Sequence, residues 1–290
     1  MPWCSDVQLA LVTPVLMYWV VCGIYSAVDH WKLAEKYRIH PADDVDKRNT
    51  CSRMLVIRTV LRQQLAQTLL GLFLSRFEPP ATTGHEDFEI WKICKNLGVS
   101  PDIGYGLYWY GFPALRMFLA FFIIDTWAYM LHRALHLNTW LYRKFHAQHH
   151  RLYVSYSYGA LYTSFVEGLF LDTGAGFLAS ALTRMSARES LVLFTFSTLK
   201  SIDDHCGYEF PWDPLQLVFP NRATYHDIHH QQFGIKTNFS QPFFVHWDVI
   251  LNSKYAKTEH YIEHCKKLRE AKYNQLKEEQ RAATVLKAST

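Results

Sequence analysis

Five apolar runs alternate with polar segments along the chain, and these runs predict its main helices. The first run, residues 7–28, contains no charged residue over 22 positions. At about 1.5 Å per residue, a helix of this length crosses the roughly 30 Å hydrocarbon core of a bilayer. No basic segment precedes the run, and it is longer than the apolar part of a signal peptide. We therefore expect a membrane-spanning helix here.

The other four runs cover residues 54–77, 112–131, 159–182 and 191–202, and the first three contain charged residues. They are either buried helices of a soluble domain or membrane helices whose charges face the bundle interior. Charges inside membrane segments are rare and usually functional. Because the first run already places the chain in a bilayer, the membrane interpretation is favoured. The last two runs are expected to form a hairpin that enters the membrane and returns.

Basic residues are concentrated in the loop between the first two runs, which holds six of them, whereas the next loop holds only two, Lys92 and Lys95. The positive-inside rule then predicts a cytosolic first loop and a second loop on the opposite side. The third run returns the chain to the cytosol before residue 132. The expected fold is all-α: membrane helices and loops at 1–111, a core at 112–257 with a cytosolic helical cap, and a charged tail at 258–290. The six basic residues are Lys32, Lys36, Arg38, Lys47, Arg48 and Arg53.

Histidine is abundant, with 15 residues in 290, and nine of them follow the third apolar run in a repeated pattern. One H-x-x-x-H motif is followed by two H-x-x-H-H motifs, with a single histidine between those two. Such repetition is not expected from surface histidines placed by chance. The nine residues are His132, His136, His146, His149, His150, His205, His226, His229 and His230.

The spacing of these histidines indicates a metal centre. Residues at i, i+3 and i+4 share a helix face, so each H-x-x-H-H motif is expected to direct three imidazoles the same way. Neutral imidazole binds iron, zinc, copper and nickel. Nine rings exceed the needs of one ion, so we predict two metal ions. Ligating histidines usually donate their other ring N–H to a carboxylate or carbonyl, and the candidate carboxylates are Asp125, Asp204 and Asp227.

Composition excludes several other classes of protein. A hydrophobic content of 49% excludes a disordered chain. The net charge of +4, without a dense basic face, speaks against nucleic-acid binding. The six cysteines form no C-x-x-C pair and are expected to be reduced thiols. One H-x-x-E-H pattern, between His260 and His264, stands alone beside the charged tail and is interpreted as chance.

Three segments, LYRKFHAQHH (141–150), DHCGY (204–208) and YHDIHHQQFG (225–234), closely resemble the fatty acid hydroxylase/sterol desaturase superfamily. Together with TNFSQPFF (237–244), the last two are most similar to the sphingolipid C4-hydroxylases. The resemblance covers about residues 110–255 and implies that the nine histidines hold two iron ions, with no catalytic residue predicted beyond them. Glu209 stands where some relatives have a further histidine, and whether it binds metal is left open.

The resemblance further implies a multi-pass enzyme of the endoplasmic reticulum membrane with its histidines facing the cytosol. Such an enzyme hydroxylates carbon 4 of sphingoid long-chain bases, converting sphinganine or dihydroceramide to phytosphingosine or phytoceramide. It uses O2 and electrons from cytochrome b5 and its NADH-dependent reductase. Four basic residues could contact that partner or lipid phosphates: Arg133, Arg143, Lys144 and Arg151. Aromatic residues after the second motif are expected to line a slot for the alkyl chain: Tyr153, Tyr156, Tyr158, Tyr162 and Phe165.

Other functions remain compatible with the histidine pattern. A sterol desaturase, a C-methyl oxidase or a fatty acid hydroxylase of the same superfamily would share it, and hydroxylation and desaturation begin with the same hydrogen abstraction. A membrane metal carrier is an alternative of a different class. A carrier would distribute ligands along a path inside its spans, whereas these histidines follow the spans. Free base and ceramide remain equally possible substrates.

Overall fold

Helices form nearly all of the regular structure in this computed structural model, which describes residues 5–77 and 84–288. Within those ranges there is no strand, only an isolated bridge between Arg38 and Tyr208, so the all-α prediction is confirmed. The domain boundaries remain a prediction. The helices are α1 (Asp6–His30), α2 (Ala42–Arg48), α3 (Arg53–Leu74), α4 (Glu86–Leu97), α5 (Pro101–Leu137), α6 (Phe165–Leu182), α7 (Ala187–His205), α8 (Pro214–Val218), α9 (Ala223–His230), α10 (His246–Ile250) and α11 (Thr258–Ala288).

Three helices, α1, α5 and α6, are long and apolar enough to cross a membrane, and they indicate a membrane protein. Helix α5 begins before the predicted run, at Pro101, and passes through a π-helical segment at Leu107–Gly111. Its 37 residues extend about 55 Å, well beyond the roughly 30 Å hydrocarbon core. A helix of this length has turns outside the apolar layer, and its last turns carry His132 and His136.

The run at 54–77 also forms a helix, α3, but this helix does not have the composition of a membrane span. Arginines at its start and buried glutamines in its middle make it too polar. Gln64 accepts a hydrogen bond from the Trp19 indole at 2.8 Å, and Gln63 donates to Thr163 at 3.3 Å. Helix α7, which contains the run at 191–202, is likewise not among the three apolar helices, because five of its 19 residues are charged, including the buried Lys200. Both helices instead use polar contacts inside the protein.

Helices α6 and α7 form a hairpin. Ser186 caps α7 through a reciprocal capping box with Glu189, which starts the returning helix after a short turn. The hydroxyls of Ser180 and Ser190 lie 2.5 Å apart across the pair. The predicted helix start at 159 was wrong, because residues Ser157–Leu161 form a 3-10 turn and α6 begins at Phe165. Helix α7 packs along α1 and ends at His205.

The histidine-bearing elements meet at one end of the helices. The basic loop 31–52 reaches the same end, because Asn49 bonds the Val154 carbonyl at 2.9 Å and Thr50 N–H donates to the Arg151 carbonyl at 2.9 Å. Helix α11 covers α9, with the Tyr261 hydroxyl 2.7 Å from Asp227. The fold thus places the first loop, the histidines and the C-terminal helix together.

Candidate metal centre

The nine predicted histidines lie together in two buried groups. Within each group, one ligand nitrogen per ring lies within 4.8 Å of all the others. The five-histidine group contains His132, His136, His146, His150 and His229, and the four-histidine group contains His149, His205, His226 and His230.

Each H-x-x-H-H motif is divided between the two groups, so the expectation of one common direction was wrong. In the first motif, His146 and His150 belong to the five-histidine group and His149 to the four-histidine group. In the second motif, His229 belongs to the five-histidine group, and the other two histidines belong to the four-histidine group. Residues i and i+4 differ by only about 40° around a helix, whereas i+3 and i+4 differ by about 100°. Residues 142–151 are also not a regular helix, because π-helical and 3-10 turns alternate there. This exchange ties the two groups into one centre.

In the five-histidine group the Nε2 atoms converge. Those of His132 and His146 are 3.1 Å apart, and that of His150 lies 3.0 Å from His146 and 3.1 Å from His136. The Nε2 atom of His229 is buried without a hydrogen-bond partner in the described ranges. A metal–imidazole bond of about 2.1 Å places ligands at right angles about 3 Å apart. The group therefore has the spacing of a ligand set.

The four-histidine group is similar. The Nε2 atom of His205 lies 3.4 Å from that of His149 and 3.0 Å from that of His226. The Nε2 atom of His230 lies 3.1 Å from that of His226. Burial lowers the pKa of His149 to about 4 and that of His205 to about 3. Both rings are therefore neutral at pH 7, which is the form that binds metal.

The second ring nitrogens show which Nε2 atoms are free to bind a metal. A backbone carbonyl can only accept, so a Nδ1 atom bonded to one must carry the proton and leave a lone pair on Nε2. The described residues contain four such bonds. In three of them the Nδ1–O distance is 2.8 Å: His132 bonds the carbonyl of Phe239, His205 that of Ser201, and His229 that of Thr237. In the fourth, His149 bonds the carbonyl of Tyr162 at 3.3 Å.

Lone pairs therefore point at each other inside both groups. His149 and His205 are the clearest pair, because neither Nε2 atom has a proton to donate across the 3.4 Å between them. Two acceptors buried face to face repel unless a cation lies between them. The residues present fit metal ions, and either group can hold one.

Glu167 contributes a carboxylate that the sequence analysis did not assign to the site. It hydrogen-bonds the Nδ1 atom of His146 and is 4% exposed. The signal was present in the sequence, because Glu167 is an acidic residue inside an apolar run, and such residues are usually functional.

The three aspartates predicted to contact ligand histidines do not do so in the described residues. Asp125 accepts the backbone N–H groups of Phe243 and Phe244, at 3.1 and 2.5 Å. It thereby holds the loop whose Phe239 carbonyl accepts from His132. Asp125 does lie near the site, but the returning loop occupies its oxygens.

Asp204 and Asp227 face away from the histidine groups, because each is the direct neighbour of a ligand candidate on its helix. Asp204 bonds Lys200 and, at 3.1 Å, Asn221. Asp227 lies 2.9 Å from Nε2 of His40 and also accepts from Tyr261. Both aspartates stabilise the surrounding elements.

The five aromatic residues expected to line one slot are dispersed. Tyr156 and Tyr162 are buried in a core cluster, and Tyr158 packs against that cluster. Phe165 is 50% exposed, and Tyr153 lines a surface pocket near Arg48. The chain after His150 crosses α1 and α3, and the rings of Tyr156, Tyr158 and Tyr162 fill that contact.

Two other aromatic rings lie against the five-histidine group. The ring centroids of Phe239 and His136 are 5.3 Å apart, and those of Tyr142 and His136 are 5.4 Å apart. Neither residue was among the predicted lining residues. Glu209 belongs to neither histidine group and instead bonds Thr224 at 2.8 Å and Arg269 at 3.3 Å.

Known proteins resemble this chain over most of its length. The fatty acid hydroxylase family model matches residues 117–253. A sphingolipid C4-hydroxylase of Saccharomyces cerevisiae is 49% identical, over 96% of this chain and 80% of the relative. A sphinganine C4-monooxygenase of Arabidopsis thaliana is 40% identical, over 86% of this chain and 88% of its own.

A very-long-chain aldehyde decarbonylase of Oryza sativa is also similar, at 37% identity over 87% of this chain and 91% of its own. No solved structure matches. The chain spans most of each of these relatives, and the family model covers the segments that carry the histidine groups. The chain therefore belongs to the fatty acid hydroxylase family.

Proposed function

We propose that this chain is a sphingolipid C4-hydroxylase, a membrane monooxygenase that uses O2 and two iron ions. The observation that carries the metal chemistry is the convergence of nine buried imidazoles in two groups. The similarity to a sphingolipid C4-hydroxylase over 96% of the chain carries the choice of substrate. A matching decarbonylase shows that this similarity alone does not determine the reaction.

The five- and four-histidine groups would each hold one iron. When bound, the irons would supply the redox chemistry that inserts oxygen from O2 into an unactivated C–H bond. The chain's own residues hold and orient the ligand atoms: the carbonyls of Phe239, Tyr162, Ser201 and Thr237 fix the rings that donate to them. Neutral ligands leave the positive charge on the metals, and burial keeps bulk water away.

The lipid would reach the site along the apolar helices, because the last turns of α5 carry His132 and His136 and the first turn of α6 contacts His146 through Glu167. Its polar end would stay at the histidine-bearing end of the bundle, and the target carbon would lie beside the rings of Tyr142 and Phe239. Positioning to a fraction of an ångström is needed because the wrong carbon would otherwise be oxidised.

The proposed location is the endoplasmic reticulum membrane, with the histidine groups on the cytosolic side. The support is the basic loop 31–52, which contacts the histidine segment at Arg151 and Val154 and would be cytosolic by the positive-inside rule. Cytochrome b5 and its NADH-dependent reductase would supply electrons. Arg143 and Lys144 are exposed beside a surface pocket at the end of α5 and are candidates for the contact.

A long-chain-base profile tests the proposed reaction. Cells lacking the protein should lose 4-hydroxylated bases and keep normal sterols, and the wild-type gene should restore the bases. A protein carrying His146→Ala should insert normally but restore nothing. Normal 4-hydroxylated bases together with altered sterols or fatty aldehydes would instead support another reaction of the family. Purified protein supplied with sphinganine or dihydroceramide would show which substrate it accepts.

A further inference from the structure

A single carboxylate lies directly behind the five-histidine group. Glu167 hydrogen-bonds the Nδ1 atom of His146, and it is 4% exposed on the apolar helix α6. Burying a carboxyl group in a membrane helix is costly, and in the described residues the Glu167 carboxyl group hydrogen-bonds one partner, His146. A role in the site would explain its position.

The two histidine groups differ in this respect. In the four-histidine group, His149 and His205 donate their Nδ1 protons to backbone carbonyls. His132 and His229 of the other group do the same. Within residues 5–77 and 84–288, Glu167 is the one carboxylate that hydrogen-bonds a ring of either group. A carboxylate acceptor makes the bond charge-assisted and raises the basicity of the ligand nitrogen, which a neutral carbonyl does less strongly.

Local packing holds Glu167 in place. The Ser164 hydroxyl caps the start of α6 by accepting the Glu167 N–H at 3.2 Å. The next residue, Gly168, leaves no room for a Cβ atom because the Gln63 side chain fills that space. Gln63 is itself bonded to Thr163. These contacts hold the backbone at Glu167, and from there its carboxyl group reaches the Nδ1 atom of His146.

We propose that Glu167 is a positioning residue that fixes His146 with its Nε2 atom toward the metal and makes the five-histidine group the tighter of two unequal metal sites. The inference rests on the proposed function, in that both groups bind metal. The five-histidine group has one more histidine, and a carboxyl group hydrogen-bonds His146 from behind. The four-histidine group has neither and should release its ion first.

Zinc titration of the purified full-length protein, stripped of metal, tests this inference. A fluorescent chelator reports the affinity of each class of site, and mass spectrometry counts bound zinc. Glu167→Ala should weaken the tighter class about 10- to 100-fold and leave the looser class unchanged. Glu167→Gln, whose amide oxygen still accepts the His146 N–H, should show a smaller loss. Asp172→Asn is the matched control, because Asp172 is a second carboxylate of α6, with one oxygen buried and unbonded, outside both histidine groups.

The outcomes separate clearly. The inference is overturned if Glu167→Ala binds zinc with wild-type affinity, or if it weakens both classes of site equally. It is also overturned if Asp172→Asn weakens zinc binding as much as Glu167→Ala does. A wild-type protein with only one class of zinc site overturns it as well. If Glu167→Ala fails to fold, as judged by helical circular dichroism, the comparison of Glu167→Gln with Asp172→Asn decides. A wild-type protein that has two unequal zinc sites, but does not hydroxylate sphingoid bases when it is loaded with iron and supplied with O2 and a reductant, would overturn the proposed function and leave the role of Glu167 standing.

Discussion

The Nε2 atoms of His149 and His205 face each other at 3.4 Å, although 56 positions separate these residues in the chain. Each ring donates its Nδ1 proton to a backbone carbonyl, of Tyr162 and Ser201 respectively. Each Nε2 atom therefore presents a lone pair to the other. The pair meets because α7 returns from the α6–α7 hairpin and ends at His205 beside the segment that carries His149.

His205→Ala should remove one metal ion and leave the other. The substitution deletes a ligand of the four-histidine group only, so metal content should fall from about two ions to about one per chain. Hydroxylation should be lost because the proposed reaction uses both ions. Metal analysis and a turnover assay on the same preparation measure these effects. The control is His260→Ala, on the exposed face of α11, which should have the metal content and turnover of the wild type. Unchanged metal content and turnover in His205→Ala would show that His205 is not part of the site.

Asp248→Ala should destabilise the protein strongly. The fully buried carboxylate accepts the backbone N–H groups of Phe239 and Ser240 and the Tyr225 hydroxyl, at 2.9 to 3.0 Å. Its loss leaves several buried donors unbonded, at about 1–3 kcal/mol each. The Phe239 carbonyl, which holds His132, should lose its position too. Thermal denaturation in detergent should show a lower Tm together with reduced metal retention, and a melting curve like that of wild type would contradict this role.

Stability should depend on pH through His40. Burial lowers the pKa of His40, but the carboxylate of Asp227, 2.9 Å away, raises it by more, so the pKa is raised overall. Asp44 raises this pKa further, and Arg48 lowers it. A raised folded pKa means that the charged pair stabilises the protein below about pH 6.5, the unfolded value. That contribution is lost as pH rises through the folded pKa.

The variant His40→Gln tests this pH dependence. The difference in Tm between wild type and His40→Gln should be largest near pH 6, below the unfolded pKa of histidine, and should shrink as pH rises through the raised folded pKa of His40. The same comparison with His260→Gln, which removes an exposed ring of α11, should show no such trend. A His40→Gln difference that stays constant from pH 6 to 9 would show that the charge on His40 does not matter.

The first turns of α11 should be needed for stability, and its end should not. Tyr261 bonds Asp227 at 2.7 Å, Arg269 bonds Glu209 at 3.3 Å, and Cys265 is buried between them. A chain ending after residue 257 should therefore have a lower Tm and lose activity on mild heating. A chain ending after residue 272 keeps all three contacts and should behave like wild type, so equal stability of the two truncations would contradict this function of the helix.

Sequence spacing predicted which histidines gather but not how they divide. The three motifs identified eight of the nine residues, because ligand spacing within a motif is a local property of the chain, and the family resemblance added the single His205. The division of each H-x-x-H-H motif depends on the angle between neighbouring residues and on the irregular turns around His149. Those features depend on packing across the molecule.

The partners of the ligand rings were harder to predict than the rings. Asp125 shares a face of α5 with His132, as expected, but the loop carrying Phe243 and Phe244 occupies its oxygens. Glu167 approaches His146 from a different helix, and no spacing along the chain relates the two. The aromatic residues 153–165 follow no helical period that would separate a lipid slot from a core contact, and three of them pack in the core.

The most direct test of the central claim is the iron content of active protein purified from membranes without chelators. We expect about two iron ions per chain, held by the nine buried histidines, and loss of sphingoid-base hydroxylation when the iron is removed. Full turnover by protein that holds less than about one iron per chain would contradict it.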